Sequence, residues 1–226
     1  GLTERAGRRL HNAAVLLGPD GGLLLHHRKI HELPEGAALY STGDRLAVAR
    51  TPFGVFGLMI CADAFAPGQV ISRTLALMGA QVILSPCAWA MPADHDNERL
   101  PYGWLWQENY GPVAREHGVW IAGCSNVGCI RSGPWAGRNC IGNSLVVNPA
   151  GEPVLRGPHG PDAEALLQQM SANDVSPQGR AVYTQWLNDR GGIEADLSLG
   201  HRQVRARQLP RQVALVEFRK HLPGLH

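Results

Sequence analysis

The sequence predicts an α/β domain built around a mixed sheet, and three observations carry that reading. Apolar runs at 13–17 and 23–25 flank Pro19-Asp20-Gly21-Gly22, the pattern of a β-hairpin. Val70, Thr74, Leu75 and Met78 recur near the 3.6-residue period, and the stretch QVILSP follows them at once, so a helix over 67–78 crosses to a buried strand. Hairpins mixed with strand-helix-strand crossovers define the α/β class with strands running both ways.

The remaining elements follow in order. Segments 46–49 and 55–60 read as a second strand pair around the turn Thr51-Pro52-Phe53-Gly54, with Cys61 ending its second strand, and Gly79 stops the helix after it. Residues 98–117 read as another helix carrying Trp104, Leu105 and Val113, in which Pro112 produces a kink or a new turn. GVWIAGCSNVG and NSLVVNPAGEPVL are strands again, and the Gly-rich stretch between them, 126–144, reads as a long loop. From Ser171 the chain turns polar, with Gly179, Gly191, Gly192 and Gly200, before a short helix-like segment at 209–222. The expected organisation is a domain over 1–170 and a C-terminal arm over 171–226.

Composition narrows the function classes. Apolar residues are 44% and charged residues 18% of 226, with a net charge of +2; that suffices for one large core and argues against disorder. The near-balanced charge argues against a nucleic-acid partner. No run of about eighteen apolar residues and no signal-peptide pattern occurs, so no membrane partner and a soluble, cytoplasmic protein are expected. The five cysteines at 61, 87, 124, 129 and 140 contain no C-x-x-C pair, which argues against a disulfide framework, a zinc ribbon and a thioredoxin-like redox role. His26, His27 and His31 lack a Cys or carboxylate cluster at ligand spacing, so no metal is expected, and no cofactor.

The chemistry centres on GLMICADAF, residues 57–65, where an apolar run ends abruptly in Cys61. Such a cysteine is either one more small buried hydrophobe or a nucleophile held at a strand-to-helix elbow. Lys29 in HHRKIHELPEG is either a solvated charge or an ammonium that lowers the thiol pKa and stabilises an oxyanion.

Together with these residues, the ordered blocks RKIHEL, YSTGDRLAVARTPFGVFGLMICADAF, GAQVILSPCAWA, GVWIAGCSNVG and NSLVVNPAGEPVL resemble the nitrilase (carbon-nitrogen hydrolase) superfamily over residues 1 to about 168. The resemblance implies an αββα sandwich, here N-terminally incomplete, that forms a homodimer or higher oligomer and hydrolyses a non-peptide carbon-nitrogen bond of a small-molecule substrate. In that family a Glu-Lys-Cys triad makes a thioester or thioimidate. Carried over, Cys61 is the nucleophile, Lys29 the oxyanion stabiliser and Ala62 the donor of a backbone N–H to the oxyanion. Glu35 matches the family's supporting glutamate, with Glu32 as the alternative. The family's base glutamate stands in a Phe-Pro-Glu-like motif upstream of GLTERAGRRLHNAAVLL, and no such motif occurs in this sequence. The resemblance therefore implies either a truncated chain or a base supplied from elsewhere, with slow amide turnover for the chain as given. A catalytically inactive relative that serves binding or oligomerisation is the alternative. Cys87, Ala88 and Trp89 are expected to wall the substrate, with ordinary core as the alternative for Trp89. Arg138 is expected either to pair with a substrate carboxylate or to be a surface charge, and Ser125 and Asn126 are undecided.

Overall fold

The computed structural model describes residues 1–163. The expected hairpin is present as β2 (Arg9–Leu17) and β3 (Leu23–Arg28), and β1 (Leu2–Ala6) lies antiparallel on the other side of β2. The turn closes with Gly18 N–H donating to Gly22 O at 2.8 Å, and Gly21 adopts φ +79 there, a conformation that glycine reaches without a Cβ clash.

A second, six-stranded sheet contains β4 (Val48–Thr51), β5 (Gly54–Leu58), β6 (Val82–Cys87), β8 (Trp120–Ser125), β11 (Leu145–Val147) and β12 (Pro153–Arg156), in the order β12-β11-β8-β6-β5-β4. Its centre, β5-β6-β8, is parallel, whereas β4, β11 and β12 run antiparallel to their neighbours. The helices α2 (Val70–Leu77) and α3 (Trp104–His117) make the two crossovers, as parallel neighbours require.

Packing joins helices, sheet and the first three strands into one core. Leu75 of α2 and Trp106, Tyr110, Val113 and Ala114 of α3 share it with Ile83, Ile121, Leu145 and Val147 of the large sheet and with Ala14 and Leu25 of β2 and β3. Tyr110 lies so close to β8 that a Cβ on Gly123 would come within 2.8 Å of its hydroxyl. The three-stranded sheet meets the large one where β2 and β3 pack against β5 and β4. Among the described residues, a helix layer lies on a sheet that lies on a second sheet, as in the sandwich that the resemblance implies.

Several sequence expectations shift. Residues 67–69 form a 3-10 turn and α2 proper begins at Val70. Pro112 sits inside a single helix, α3, which starts at Trp104 rather than near 98, and Trp104 itself is exposed. The stretch taken for a long loop pairs instead: β10 (Arg138–Ile141) lies between β7 (Ala90–Pro92) and β9 (Val127–Cys129) in a small third sheet. These three- and four-residue strands lack the alternation that a sequence reading detects. The expected arm over 171–226, with its helix at 209–222, lies outside the described residues.

Candidate active site

The parallel β5–β6 ladder runs in register from Phe56 opposite Val82 to Leu58 opposite Leu84, and Met59 N–H still reaches Leu84 O at 3.1 Å. Two residues beyond Leu84 stands Pro86, which has no N–H to return to β5. The chain leaves the sheet there and enters a 3-10 turn, Cys61–Phe65. Cys61 takes φ +47, left-handed backbone that a non-glycine residue adopts only when its surroundings hold it.

Asp63 supplies that hold. It is fully buried. Its Oδ2 accepts from Ile60 N–H at 2.8 Å and lies 2.8 Å from Nε2 of the buried His27, while Oδ1 accepts from Ile30 N–H at 3.0 Å and His31 N–H at 2.8 Å. One carboxylate thus ties the residue before Cys61 to the two residues after Lys29, through the charge-assisted bonds that make a buried anion tolerable. The Lys29 backbone is fixed further by its N–H on Asn12 O and by Gly43 N–H on its own carbonyl, both at 2.8 Å.

Lys29 is 6% exposed, so it is no solvated surface charge. Its Nζ donates to Glu32 Oε2 at 2.9 Å, and the second oxygen of Glu32 is buried without a partner among the described residues. The acid beside the ammonium is therefore Glu32 and not Glu35. Pro34 opens the short helix α1 (Pro34–Ala37), and Glu35 in its first turn is exposed, whereas the three-residue step from Lys29 to Glu32 lets those two side chains meet.

The Cys61 thiol is lowered to about 7. The Cys87 side chain, a donor toward the Cys61 sulfur, is the largest cause; burial opposes it, and backbone hydrogen bonds from Ala88 and Ala62 and the charge of Lys29 add to it. Cys61 Sγ also lies 3.9 Å from Ala88 O. Burial, and then Cys61 itself, push Cys87 upward, so in this pair the proton stays on Cys87 and the thiolate forms at Cys61. Burial raises Cys124 and Cys140 as well. Cys61 alone among the described cysteines is shifted toward the thiolate, the reactive form.

Trp89 packs against Phe65 (centroids 5.5 Å apart), Tyr102 (5.7 Å) and Trp106 (6.0 Å). It is half-buried and joins the 3-10 turn that begins at Cys61 to α3, so it belongs to the core and borders the site at once. Arg138 is exposed on β10 and donates from Nη1 to Ala90 O at 3.2 Å. Ser125 and Asn126 close β8, where Ser125 N–H donates to Ser144 Oγ at 2.9 Å and Asn126 N–H to Cys87 O at 2.9 Å. Sequence reasoning missed Asp63, His27 and the part played by Cys87. An acid between alanines, two residues after a candidate nucleophile in a stretch expected to be buried, was the available signal. Among the described residues no group of three His, Cys, Asp or Glu could hold a metal, and no helix is long and apolar enough to cross a membrane.

A lowered thiol at a strand-end elbow, within electrostatic reach of a buried lysine that pairs with a glutamate, is the kind of environment in which reactive cysteines occur. The chain belongs to the carbon-nitrogen hydrolase family, whose model matches residues 1–175. It is 33% identical over 153 residues to a nitrilase of Pyrococcus abyssi, covering 67% of this chain and 51% of that protein. A carbon-nitrogen hydrolase from Helicobacter pylori superposes with a TM-score of 0.61 at 25% identity, covering 70% of this chain and 56% of the other. An amidase mutant from Nesterenkonia sp. AN1 superposes with a TM-score of 0.54 at 26% identity over 69% of this chain and 55% of that one, and carries the acetamide moiety of fluoroacetamide covalently added at its active site cysteine. The chain spans about half the length of the curated relatives it matches. A second family model, the GCVT N-terminal domain, matches residues 158–204, a range that begins inside the carbon-nitrogen hydrolase match and overlaps the expected arm.

Proposed function

We propose that Cys61 attacks the carbonyl or nitrile carbon of a small amide, carbamoyl compound or nitrile and carries the resulting thioester or thioimidate. The single observation that supports this reading is the lowered Cys61 thiol, with the buried Lys29 ammonium among its causes. With an amide, the thiolate forms a C–S bond and negative charge moves to the carbonyl oxygen, where the Lys29 Nζ–H and the Ala62 N–H are the donors to it. Collapse breaks the C–N bond and the amine leaves with a proton taken from solvent; water then attacks the thioester carbon, the C–S bond breaks, and the carboxylic acid and the Cys61 thiolate separate, with the proton of the attacking water passing to solvent. Glu32 holds Lys29, and its unpartnered oxygen is the acceptor that would orient the water. Trp89 borders the substrate, and the rest of the Arg138 fork is the pairing site for a substrate carboxylate. A homodimer or higher oligomer is part of this reading.

The test is mass spectrometry after incubation with amides, carbamoyl amino acids and nitriles, with hydroxylamine as an acceptor for any acyl group. The expected result is an adduct on Cys61 that hydroxylamine removes as the hydroxamate and that Cys61→Ala abolishes. No adduct, together with a Cys61 that iodoacetamide labels no faster than Cys124 or Cys140, would favour the inactive, binding or oligomerising alternative.

A further inference from the structure

Cys87 is buried, lies outside the hydrolytic roles above, and faces the nucleophile. Cys61 opens the 3-10 turn that follows β5, Cys87 ends the neighbouring strand β6, and the two side chains are hydrogen-bond partners. The Cys61 sulfur sits 3.9 Å from the carbonyl of Ala88, the residue directly after Cys87. Cys87 Sγ is held in turn by Ser85 O at 3.1 Å and lies 3.7 Å from the hydroxyl of the buried Tyr110.

We propose that Cys61 and Cys87 are a peroxide-responsive pair that closes a reversible disulfide across the β5–β6 ends and thereby caps the nucleophile. The chemistry balances with hydrogen peroxide as the oxidant. The Cys61 thiolate attacks one peroxide oxygen, an S–O bond forms, the O–O bond breaks, and hydroxide leaves to become water, giving the sulfenic acid. Cys87 sulfur then attacks the Cys61 sulfur: the S–S bond forms, the S–O bond breaks, and the departing hydroxide takes the Cys87 proton as a second water. Two thiols lose two electrons, and one peroxide becomes two waters. A thiol reductant reverses the bridge by thiolate attack on sulfur.

The division of labour fits the environments. The thiolate of the pair resides on Cys61, and Cys87 keeps its proton partly because of the charge on Cys61; once Cys61 is the neutral sulfenic acid that charge is gone and Cys87 deprotonates more readily. A bridge made in this way requires no C-x-x-C motif, because the sheet rather than the sequence brings the sulfurs together.

The inference shares with the hydrolase reading only the reactivity of Cys61, and its test reads mass rather than amide turnover. The full chain is treated with a few equivalents of hydrogen peroxide, remaining thiols are blocked with iodoacetamide, and the digest is mapped without reduction. The expected product is a peptide pair joined through Cys61 and Cys87 with the loss of two hydrogens, returned to two alkylatable thiols by dithiothreitol. In Cys87→Ala the same treatment drives Cys61 to sulfinic acid that dithiothreitol does not reverse. The inference is overturned if Cys61 of the parent chain oxidises while Cys87 stays alkylatable, or if its bridge goes to Cys124, Cys129, Cys140 or a second chain. If untreated Cys61 still reacts rapidly with iodoacetamide in that case, the nucleophile reading survives; if it does not, both fail.

Discussion

Strand β3 carries a carboxylate contact on each of its faces, and the two differ in almost everything but their chemistry. His26 and Arg28 point one way, to Glu4 of β1, with His26 Nε2 and Arg28 Nε each 2.9 Å from Oε2. His27, between them, points the other way to Asp63, as strand alternation demands. The Glu4 side chain is 24% exposed, and the Arg28 guanidinium, with His26 behind it, holds its carboxyl at about 2. Asp63 is fully buried and accepts three backbone N–H groups besides its histidine. Water can replace the partners of Glu4 if they are lost, and nothing in the core can replace those of Asp63. The comparison teaches that a carboxylate organises a site only where its donors have no alternative.

The largest expected effect follows from that difference. Asp63→Ala orphans the buried N–H of Ile60 and the half-buried N–H groups of Ile30 and His31, each on the order of 1–3 kcal/mol, and should lower stability in urea unfolding by on the order of 3–5 kcal/mol. Asp63→Asn, which keeps the shape, should fold, but it presents an amide N–H where Ile60 donates; alkylation of Cys61 at pH 7 should fall severalfold as the elbow loosens. Next comes Glu32→Gln, which leaves the buried Lys29 ammonium facing a neutral acceptor and should cost on the order of 2 kcal/mol in the same measurement.

Thiol reactivity sharpens the comparison further. Because the Cys61 thiol is lowered, the thiolate is the minor form below about pH 7 and the major form above it, so the alkylation rate should rise with pH through that value. The midpoint should move up in Cys87→Ala and, by less, in Lys29→Met, matching the order of the causes; an equal or reversed order would mean that the ammonium governs the thiol. The smallest effect belongs to Glu4→Gln. A folded pKa below the unfolded value contributes stability that is present above about 4.5 and lost as pH falls through about 2. At neutral pH an exposed pair of this kind contributes little, so the melting temperature should stay within roughly 3 °C of the parent. A loss as large as that of Asp63→Ala would break the contrast between buried and exposed carboxylates.

The sequence made the sandwich and the hairpin legible, because apolar periodicity and the order of the family blocks are local signals. The resemblance favours Glu35 over Glu32 for the supporting part, whereas in the structure the four-residue helix opened by Pro34 leaves Glu35 exposed and Glu32 against Lys29, a difference decided by side-chain direction. The third sheet escaped because strands such as Val127–Cys129 are stabilised by their partners rather than by their own pattern. Asp63 and the part Cys87 plays at the thiol escaped for a related reason: their importance lies in which backbone and which sulfur they face, and contacts between segments distant in the chain determine that.

One consequence of the left-handed backbone at Cys61 reaches beyond chemistry. A side chain at φ +47 is held against its own preference at a cost of order 1 kcal/mol, a penalty that glycine does not suffer. Cys61→Gly, which abolishes the reactive sulfur, should therefore melt no lower than the parent despite its emptied pocket, and selection for thermal robustness alone would have discarded the cysteine.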